Sequence, residues 1–314
     1  MGGNKVLVTA STGKCGFKCC LALKDEGFQV FGTTRSVTGA EKLKSIGVTP
    51  LVGNYLVAED LARMIDESGA NKLLFYTDFW TAAGGNADTE FEQGKLIIDT
   101  TVSSGRIEHA VFISVADAEC WPPECAHILA KVKVEDYLKE SSLKCWSVVG
   151  PACFFENLDD PVNHNPLKKG SLKFLMTESC KWCGTYDIGK AAAVQFKNPR
   201  KWNKKPRLDV IGYEGDLDSC ADALEKVGGY APVKRSLVLP VFIRKIMLKD
   251  LHFMCEFFAK RIGEGIRGTP EEFRKHVPDA LDAEGWFRHH NKYTNGEPIV
   301  DNSSPPEAGC CTMM

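Results

Sequence analysis

The sequence predicts an α/β fold with a doubly wound parallel sheet, and three observations predict it. Apolar runs of strand length alternate with helical patterns from the N-terminus to about residue 150. A turn of small residues directly follows the first of these runs. The turns that follow the strands would all lie at the carboxyl edge of the sheet, where ligands bind in such folds. We therefore expect one ligand cleft along that edge.

The first strand, turn and helix open the chain. The run Lys5–Val8 ends at the turn, and the helical pattern that follows is closed by Gly27. This order is typical of a Rossmann dinucleotide-binding unit, in which backbone N–H groups and a helix N-terminus face a pyrophosphate. The alternative is a turn that is tight only for packing. The candidate cofactor-binding residues of this turn are Ala10, which replaces the first glycine of the motif, Ser11, Thr12, Gly13, Lys14, Cys15 and Gly16.

The residue after the second strand distinguishes the two nicotinamide dinucleotides. NAD-binding units carry an acidic side chain there, whereas this chain has Arg35. A guanidinium suits a 2′-phosphate, and Lys14 adds a second positive charge, while Thr34 and Ser36 offer hydroxyls. The alternative is that Arg35 is a solvated loop charge. The sequence therefore favours NADP(H) over NAD(H).

The remaining elements of the first half follow in regular order. Strands are expected at Phe28–Thr33, Val48–Val52, Lys72–Tyr76, His109–Ser114 and Lys144–Val149. Helices are expected at Ala40–Ser45, Ala58–Ser68, Phe91–Ser104 and Ala126–Ser141. Residues 1–150 are thus predicted to form an NADP(H)-binding Rossmann core.

The pattern loosens after Pro151. Residues 151–293 are expected to form a smaller mixed α/β subdomain for a substrate or partner, with some segments returning to the core, and 294–314 a disordered tail. Short strands are expected near Ser171–Met176 and Arg207–Ile211, and helices at Asp187–Lys197, Leu217–Val227, Pro240–Ile262 and Pro270–His276. The helix from Pro240 is rich in large apolar residues. We expect it to pack in the subdomain, and the alternative is a groove for a partner or a membrane surface.

Composition excludes several classes of protein. The chain has 314 residues, a net charge of −2 and 44% hydrophobic residues, so bulk charge gives no reason to expect a nucleic-acid partner. No apolar run is long enough to span a membrane, and we expect no secretory signal, because the first residues lack an apolar stretch. The 13 cysteines are then expected to be reduced thiols in the cytoplasm. A redox pair at Cys180 and Cys183, or zinc binding by Cys120, Cys125 and His127, is the alternative to simple packing, and we predict no metal site.

The C-terminal residues contain a lipidation pattern. Cys311, followed by Thr312, Met313 and Met314, fits the rule for farnesylation, and the adjacent Cys310 offers a palmitoylation site. The upstream segment lacks a polybasic stretch. Membrane association is therefore expected only through a lipidated Cys311.

Several segments together resemble the NmrA-like family of atypical short-chain dehydrogenases/reductases, over about residues 5–291. They are the turn from Ala10 to Gly16, Arg35, Thr77-Asp78-Phe79-Trp80, Gln93-Gly94-Lys95, His127-Ile128-Leu129-Ala130-Lys131, Pro151-Ala152-Cys153-Phe154-Phe155-Glu156-Asn157 and Asp282-Ala283-Glu284-Gly285-Trp286-Phe287-Arg288-His289-His290. This family includes NADP(H)-binding transcriptional co-regulators and redox sensors, and it is similar to the isoflavone and phenylcoumaran reductases.

The resemblance implies further cofactor-binding residues. Asn54 stands where the family usually has an Asp near the adenine. The segment Thr77, Asp78 and Phe79 would lie beside the cofactor, and Phe154, Glu156 and Asn157 would cover its nicotinamide end.

The catalytic pattern of ordinary short-chain dehydrogenases is incomplete. They use Tyr-x-x-x-Lys on one helix face, but here His127 occupies the tyrosine position and Lys131 remains. The resemblance implies that Lys131 holds the nicotinamide ribose or acts as a general base, and Ser114 is placed to orient a substrate or the nicotinamide. His127 is a candidate proton donor, although a structural role is the simpler interpretation. We therefore expect an NADP(H)-sensing regulatory protein, and the alternative is a reductase of a small aromatic, quinone or enone substrate that uses Lys131.

Overall fold

A computed structural model describes residues 4–159, 171–176, 178–205, 207–228, 234–237, 240–261, 263–290, 293–294 and 297–298. Its strands are β1 (Lys5–Val8), β2 (Gln29–Thr34), β3 (Thr49–Val52), β4 (Lys72–Phe75), β5 (His109–Ile113), β6 (Trp146–Pro151), β7 (Cys153–Phe154), β8 (Ser171–Phe174), β9 (Cys180–Cys183), β10 (Leu208–Val210), β11 (Tyr213–Gly215), β12 (Lys234–Leu237), β13 (Tyr293–Thr294) and β14 (Glu297–Pro298).

Helices flank these strands along most of the chain. They are α1 (Lys14–Asp25), α2 (Val37–Ser45), α3 (Ala58–Ser68), α4 (Ala87–Ser104), α5 (Ala126–Glu140), α6 (Thr185–Lys197), α7 (Pro199–Trp202), α8 (Leu217–Gly228), α9 (Val241–Met247), α10 (Lys249–Phe258), α11 (Pro270–Arg274) and α12 (Ala283–His290). Among the described residues, no helix is both long and apolar enough to cross a bilayer.

The central sheet confirms the predicted fold class. Seven strands lie in the order β10-β6-β5-β4-β1-β2-β3, and the strand pairs are parallel. The order reverses beside β1, where the chain crosses from one half of the sheet to the other, and this is the position at which doubly wound folds bind ligands. The late strand β10 pairs with β6, so a segment of the second half completes the edge of the core sheet.

Capping side chains lengthen two helices beyond their predicted starts. The Ser36 hydroxyl accepts a hydrogen bond from the backbone N–H of Gly39, and α2 therefore begins at Val37. The Asn86 side chain accepts one from the N–H of Thr89, and α4 therefore begins at Ala87. Apolar periodicity alone does not detect such polar first turns.

The second half of the chain builds a smaller mixed α/β layer over the carboxyl edge of the core. Strand β9 lies between β11, which is antiparallel to it, and β7, which is parallel. Aromatic rings fill the core of this layer. Phe155 stacks on both Trp182 and Trp286, with ring centroids 5.6 and 5.5 Å apart respectively. Burial of these large rings fixes the segment after β6 against the sheet.

The apolar segment from Pro240 forms two helices rather than one. Leu248 has φ −133° and ψ 59°, which ends α9, and α10 begins at the next residue. The break turns α10 so that Leu251, Met254 and Phe257 are buried, while much of α9 is exposed. The prediction of one continuous helix was therefore wrong, because its apolar residues serve two different faces.

Most of the predicted tail lies outside the described residues, and so do Cys310 and Cys311. At the start of the predicted tail, β13 pairs antiparallel with β14.

Candidate functional site

Two neighbouring cavities lie at the carboxyl edge of the core sheet. The first, here called the outer cavity, has a volume of about 870 Å³, part of it open to solvent. Ligand sites commonly have volumes of this order. Its lining residues are Ala10, Thr12, Gly13, Thr33, Thr34, Arg35, Ser36, Asn54, Tyr55, Leu56, Asp78 and Ala82. The structure thus brings the turn after β1, the predicted Arg35 and Asn54 into one cleft.

The second cavity, here called the inner cavity, is smaller and mostly apolar, with a volume of about 470 Å³. It lies next to the outer cavity, since Thr77 lines the inner and Asp78 the outer one. Its lining residues are Cys15, Tyr76, Thr77, Phe79, Trp80, Ile113, Ser114, His127, Lys131 and Phe154. All three candidate catalytic residues of the sequence analysis are among them.

The turn after β1 has the close contacts that its glycine motif implies. A Cβ atom on Gly16 would lie 2.4 Å from the carbonyl oxygen of Ala10, so only glycine fits there. Ala10 itself has φ 47°, in the left-handed region that glycine tolerates best. The alanine therefore adopts the backbone conformation of the glycine that it replaces. The N–H of Gly13 donates to the carbonyl of Ala10 and closes the turn.

Lys131 takes part in a buried ion pair that the sequence did not predict. Its Nζ atom lies 2.7 Å from Oε1 of Glu90, a residue of α4, and 3.4 Å from Oγ1 of Thr77. The Thr77 hydroxyl donates to the same Glu90 oxygen at 2.5 Å. Glu90 is completely buried, and its Oε2 has no hydrogen-bond partner within the described part of the chain. This carboxylate balances the Lys131 ammonium beside the inner cavity.

Ser114 is connected to a second charged network. Its hydroxyl donates to Oε1 of Glu135, and both Glu135 oxygens accept from Nη1 of Arg207 at 2.9 Å. Arg207 in turn pairs with Glu119 and Asp209. The Ser114 proton is thus committed to Glu135, whereas its oxygen remains able to accept a hydrogen bond from a ligand.

His127 is held by an acidic residue of the second half. The Nδ1 atom of His127 is hydrogen-bonded to Oδ2 of Asp250, and its backbone N–H donates to Oδ1 of Asp250 at 3.3 Å. The His127 ring centroid lies 5.6 Å from that of Trp80 and 5.8 Å from that of Phe79. The ring is only 1% exposed, and Nε2 has no partner among the residues described. A buried polar atom without a partner is costly and points to a ligand or a chemical role.

Some predicted cofactor-binding residues do not line either cavity. The Ser11 hydroxyl donates to the carbonyl of Val8, inside the turn. Glu156 accepts hydrogen bonds from the N–H and hydroxyl of Thr185 and from Nε1 of Trp286, so it joins α6 and α12. The Asn157 side chain donates to Sγ of Cys153. Lys14 begins α1 directly after the turn, and Gly16 lies against the backbone of Ala10 and Ser11.

The cysteine alternatives receive little support from the geometry. Cys180 and Cys183 are buried on β9, where residues three apart point to opposite faces of the strand. Burial raises the pKa of both thiols well above the usual range, which disfavours a reactive thiolate. Cys120 does not meet Cys125 and His127 within the described residues. It lies with Asp117 and Glu119, whose carboxylates are paired with Arg267.

One protein-family model matches nearly the whole chain. The model of the NmrA-like family matches residues 3–294. This chain belongs to the NmrA-like family. Among curated proteins, it is 28% identical over 124 residues to an NmrA-like family domain-containing oxidoreductase of Aspergillus sp.. That match covers 38% of this chain and 37% of the relative, which is well under half of each protein.

Solved structures of NmrA-like and related proteins share the fold. The negative transcriptional regulator NmrA in complex with NAD is 19% identical, with 92% of this chain and 96% of that chain covered and a TM-score of 0.70. A triphenylmethane reductase of Citrobacter sp. is 16% identical, with coverage of 89% and 96% and a TM-score of 0.65. An NADPH-dependent quinone oxidoreductase of Escherichia coli in complex with NADPH is 16% identical, with coverage of 90% and 99% and a TM-score of 0.67.

Proposed function

We propose that this NmrA-like chain binds NADP(H) along the neighbouring outer and inner cavities. The outer cavity fits a phosphorylated adenosine, because both the small-residue turn that opens α1 and the exposed Arg35 line it. No acidic residue follows β2 to favour an unphosphorylated ribose. Related structures hold NAD, NADP or NADPH.

The lining residues of the two cavities would contact different halves of the cofactor. Ala10, Thr12 and Gly13 would lie against the pyrophosphate, and Arg35 and Asn54 would contact the adenosine end. In the inner cavity, the rings of Phe79 and Phe154 and the side chain of Thr77 would surround the nicotinamide, and Lys131 would hold its ribose. As an ammonium already paired with Glu90, Lys131 suits a hydrogen-bond donor better than a base, since a base must be neutral.

We further propose that the chain is an NADPH-dependent reductase of a small aromatic, quinone or enone substrate. The bound cofactor would supply hydride from its nicotinamide. The observation that carries this proposal is the composition of the inner cavity, in which aromatic walls from Phe79, Trp80 and Phe154 surround the polar atoms of Ser114 and His127. A flat apolar substrate would stack on the nicotinamide within this aromatic lining, and the few polar atoms would orient its oxygen.

A second candidate function is cofactor sensing by a regulatory protein. The observation that favours it is the exposed apolar face of α9, where Phe242 is 66%, Ile246 72% and Met247 75% exposed. Large exposed apolar side chains mark interaction surfaces. The absence of the dehydrogenase tyrosine agrees with this candidate too.

Oxidation of NADPH in the presence of menadione, cinnamaldehyde and benzaldehyde separates the two candidates. The reductase predicts turnover with at least one of them, and the paired variant Lys131→Met/Glu90→Gln should weaken NADPH binding without leaving a buried charge. Lys133→Ala is the matched control, because Lys133 forms an exposed ion pair with Asp88 on the same helix pair. NADPH binding without turnover on any of the three would reject the reductase and favour the sensor.

A further inference from the structure

We propose that His127 and Asp250 form the proton source for this reduction, with His127 as the catalytic acid and Asp250 as its positioning residue. The inference rests on the proposed reductase function. It assigns a chemical role to α10, which the sequence predicted to belong to a packing helix or, alternatively, to a partner or membrane groove. It also supplies the group that replaces the missing tyrosine.

The helix geometry places His127 where a proton is needed. His127 lies one turn before Lys131 on α5, so the two side chains share one helix face beside the inner cavity. Its ring is next to Phe79 and Trp80, which form the aromatic wall. A substrate held against that wall would bring its oxygen close to the imidazole.

Asp250 determines which imidazole nitrogen faces the cavity. It accepts the Nδ1 proton, and a carboxylate in this position fixes the tautomer and ring orientation and stabilises the protonated ring. Nε2 is then the nitrogen that exchanges a proton with a ligand. It is buried and has no hydrogen-bond partner among the described residues. Asp250 lies in the first turn of α10, two residues after the break at Leu248.

The proton balance of the step is complete with these two residues and water. Two-electron reduction adds one hydride and one proton to the substrate. The His127 imidazolium gives its Nε2 proton to the substrate oxygen that gains charge, and the resulting neutral imidazole keeps its Nδ1 proton, which stays hydrogen-bonded to the Asp250 carboxylate. Water returns a proton to Nε2 after the product leaves. The Asp250 side chain is 19% exposed, so the pair is not sealed from solvent.

Asp250 also has a structural role, which the test must separate from the chemical one. Its Oδ1 accepts the backbone N–H of His127 in the first turn of α5, as an N-cap would. Asp250→Asn keeps an oxygen for this bond but loses the carboxylate charge. Asp250→Glu keeps the charge. His252→Gln, on the same helix, is the matched control, because His252 lies outside the inner cavity.

Menadione reduction with NADPH is the first readout. We expect His127→Ala to lower kcat at least ~100-fold with KM within about threefold, which is the usual size of a general-acid effect. Added imidazole should restore at least about a tenth of the lost rate, and a purely structural histidine would not respond to it. Asp250→Asn should lower kcat more than Asp250→Glu, and His252→Gln should stay within about twofold of the wild type.

Nitrogen NMR of the His127 ring in the cofactor-free protein is the second readout. We expect a proton fixed on Nδ1 in the wild type and loss of that preference in Asp250→Asn. Menadione turnover that persists in His127→Ala, a lost rate that imidazole fails to restore, or a neutral ring carrying its proton on Nε2 would each overturn the proton-source inference alone. A wild-type protein that reduces none of the three substrates would instead overturn the reductase proposal on which it rests.

Discussion

Lys131 Nζ lies 2.7 Å from Glu90 Oε1, and both side chains are buried where the two halves of the cleft meet. The pair joins α5 to α4 and leaves the ammonium beside the inner cavity. Residues of opposite charge buried this deeply stabilise a fold only when both are present, since removal of one leaves an uncompensated charge. The ion pair therefore links the stability of the core to the geometry of the site.

Glu90→Ala should lower the free energy of unfolding by about 3 kcal/mol, because it leaves the Lys131 ammonium buried without its carboxylate. Urea denaturation at neutral pH measures the loss. Asp88→Ala is the control, since Asp88 pairs with Lys133 on the exposed side of the same helices and should change stability by less than about 1 kcal/mol. Equal small losses in both variants would show that the buried pair has little structural importance.

Ala10→Gly should raise the free energy of unfolding by up to about 1 kcal/mol, because Ala10 pays the steric cost of a φ of 47° that glycine does not. Ala223→Gly, in the interior of α8, should lower it by about 1 kcal/mol instead. Thermal unfolding of the two variants compares them directly. A destabilised Ala10→Gly would mean that the turn carries no such strain.

Gly16→Ala should be destabilising and should weaken cofactor binding at the same time. Its Cβ atom would lie 2.4 Å from the backbone carbonyl oxygen of Ala10, so the helix and the turn have to separate. Urea denaturation together with NADPH titration measures the two effects. Unchanged stability and affinity would show that α1 can move away from β1 without consequence.

The pH dependence of stability should contain a contribution from Asp187. Burial raises the pKa of this carboxyl to about 7, above its value in the unfolded chain. The folded state then holds the proton more tightly, so stability falls as pH rises from about 4 to 7, and the penalty is complete above that range. Asp187→Asn should therefore stabilise the protein by about 1–3 kcal/mol at pH 8 and have little effect near pH 4.

Asp279→Asn should behave in the opposite way. The hydrogen bond from Lys190 lowers the pKa of Asp279, so this carboxylate contributes stability that is lost as pH falls. Because Asp279 is largely exposed, the effect should be small. Unfolding curves of both variants from about pH 8 to below about pH 4 measure the two effects. The same difference from wild type at every pH for Asp187→Asn would contradict the assignment.

Local features of the sequence were sufficient to predict which turns line the outer cavity. The turn from Ala10 to Gly16 and the position of Arg35 follow from residues close together in the chain, and Ala10, Thr12 and Gly13 of the turn line one cavity with Arg35. The alternation of strands and helices was likewise sufficient to predict the parallel core sheet.

The inner cavity depends on contacts that no local pattern contains. Glu90 is 41 residues from Lys131, and Asp250 is 123 residues from His127. An acidic residue in a polar first turn, such as Glu90, looks like ordinary helix capping until its burial is known. Asp250 could have been singled out only by recognising that the apolar run from Pro240 is too long for one buried face and has to break.

Calorimetric titration with NADPH, NADP, NADH and NAD tests the central claim most directly, using the wild type, Arg35→Ala and the control Arg106→Ala. Arg106 is also an exposed arginine, but it pairs with Asp66 before β5, at the opposite edge of the sheet. We predict that the wild type and Arg106→Ala prefer the phosphorylated coenzymes at least ~10-fold, and that Arg35→Ala loses this preference. No binding of any coenzyme by the wild type, or a preference for NADH and NAD, would contradict the account.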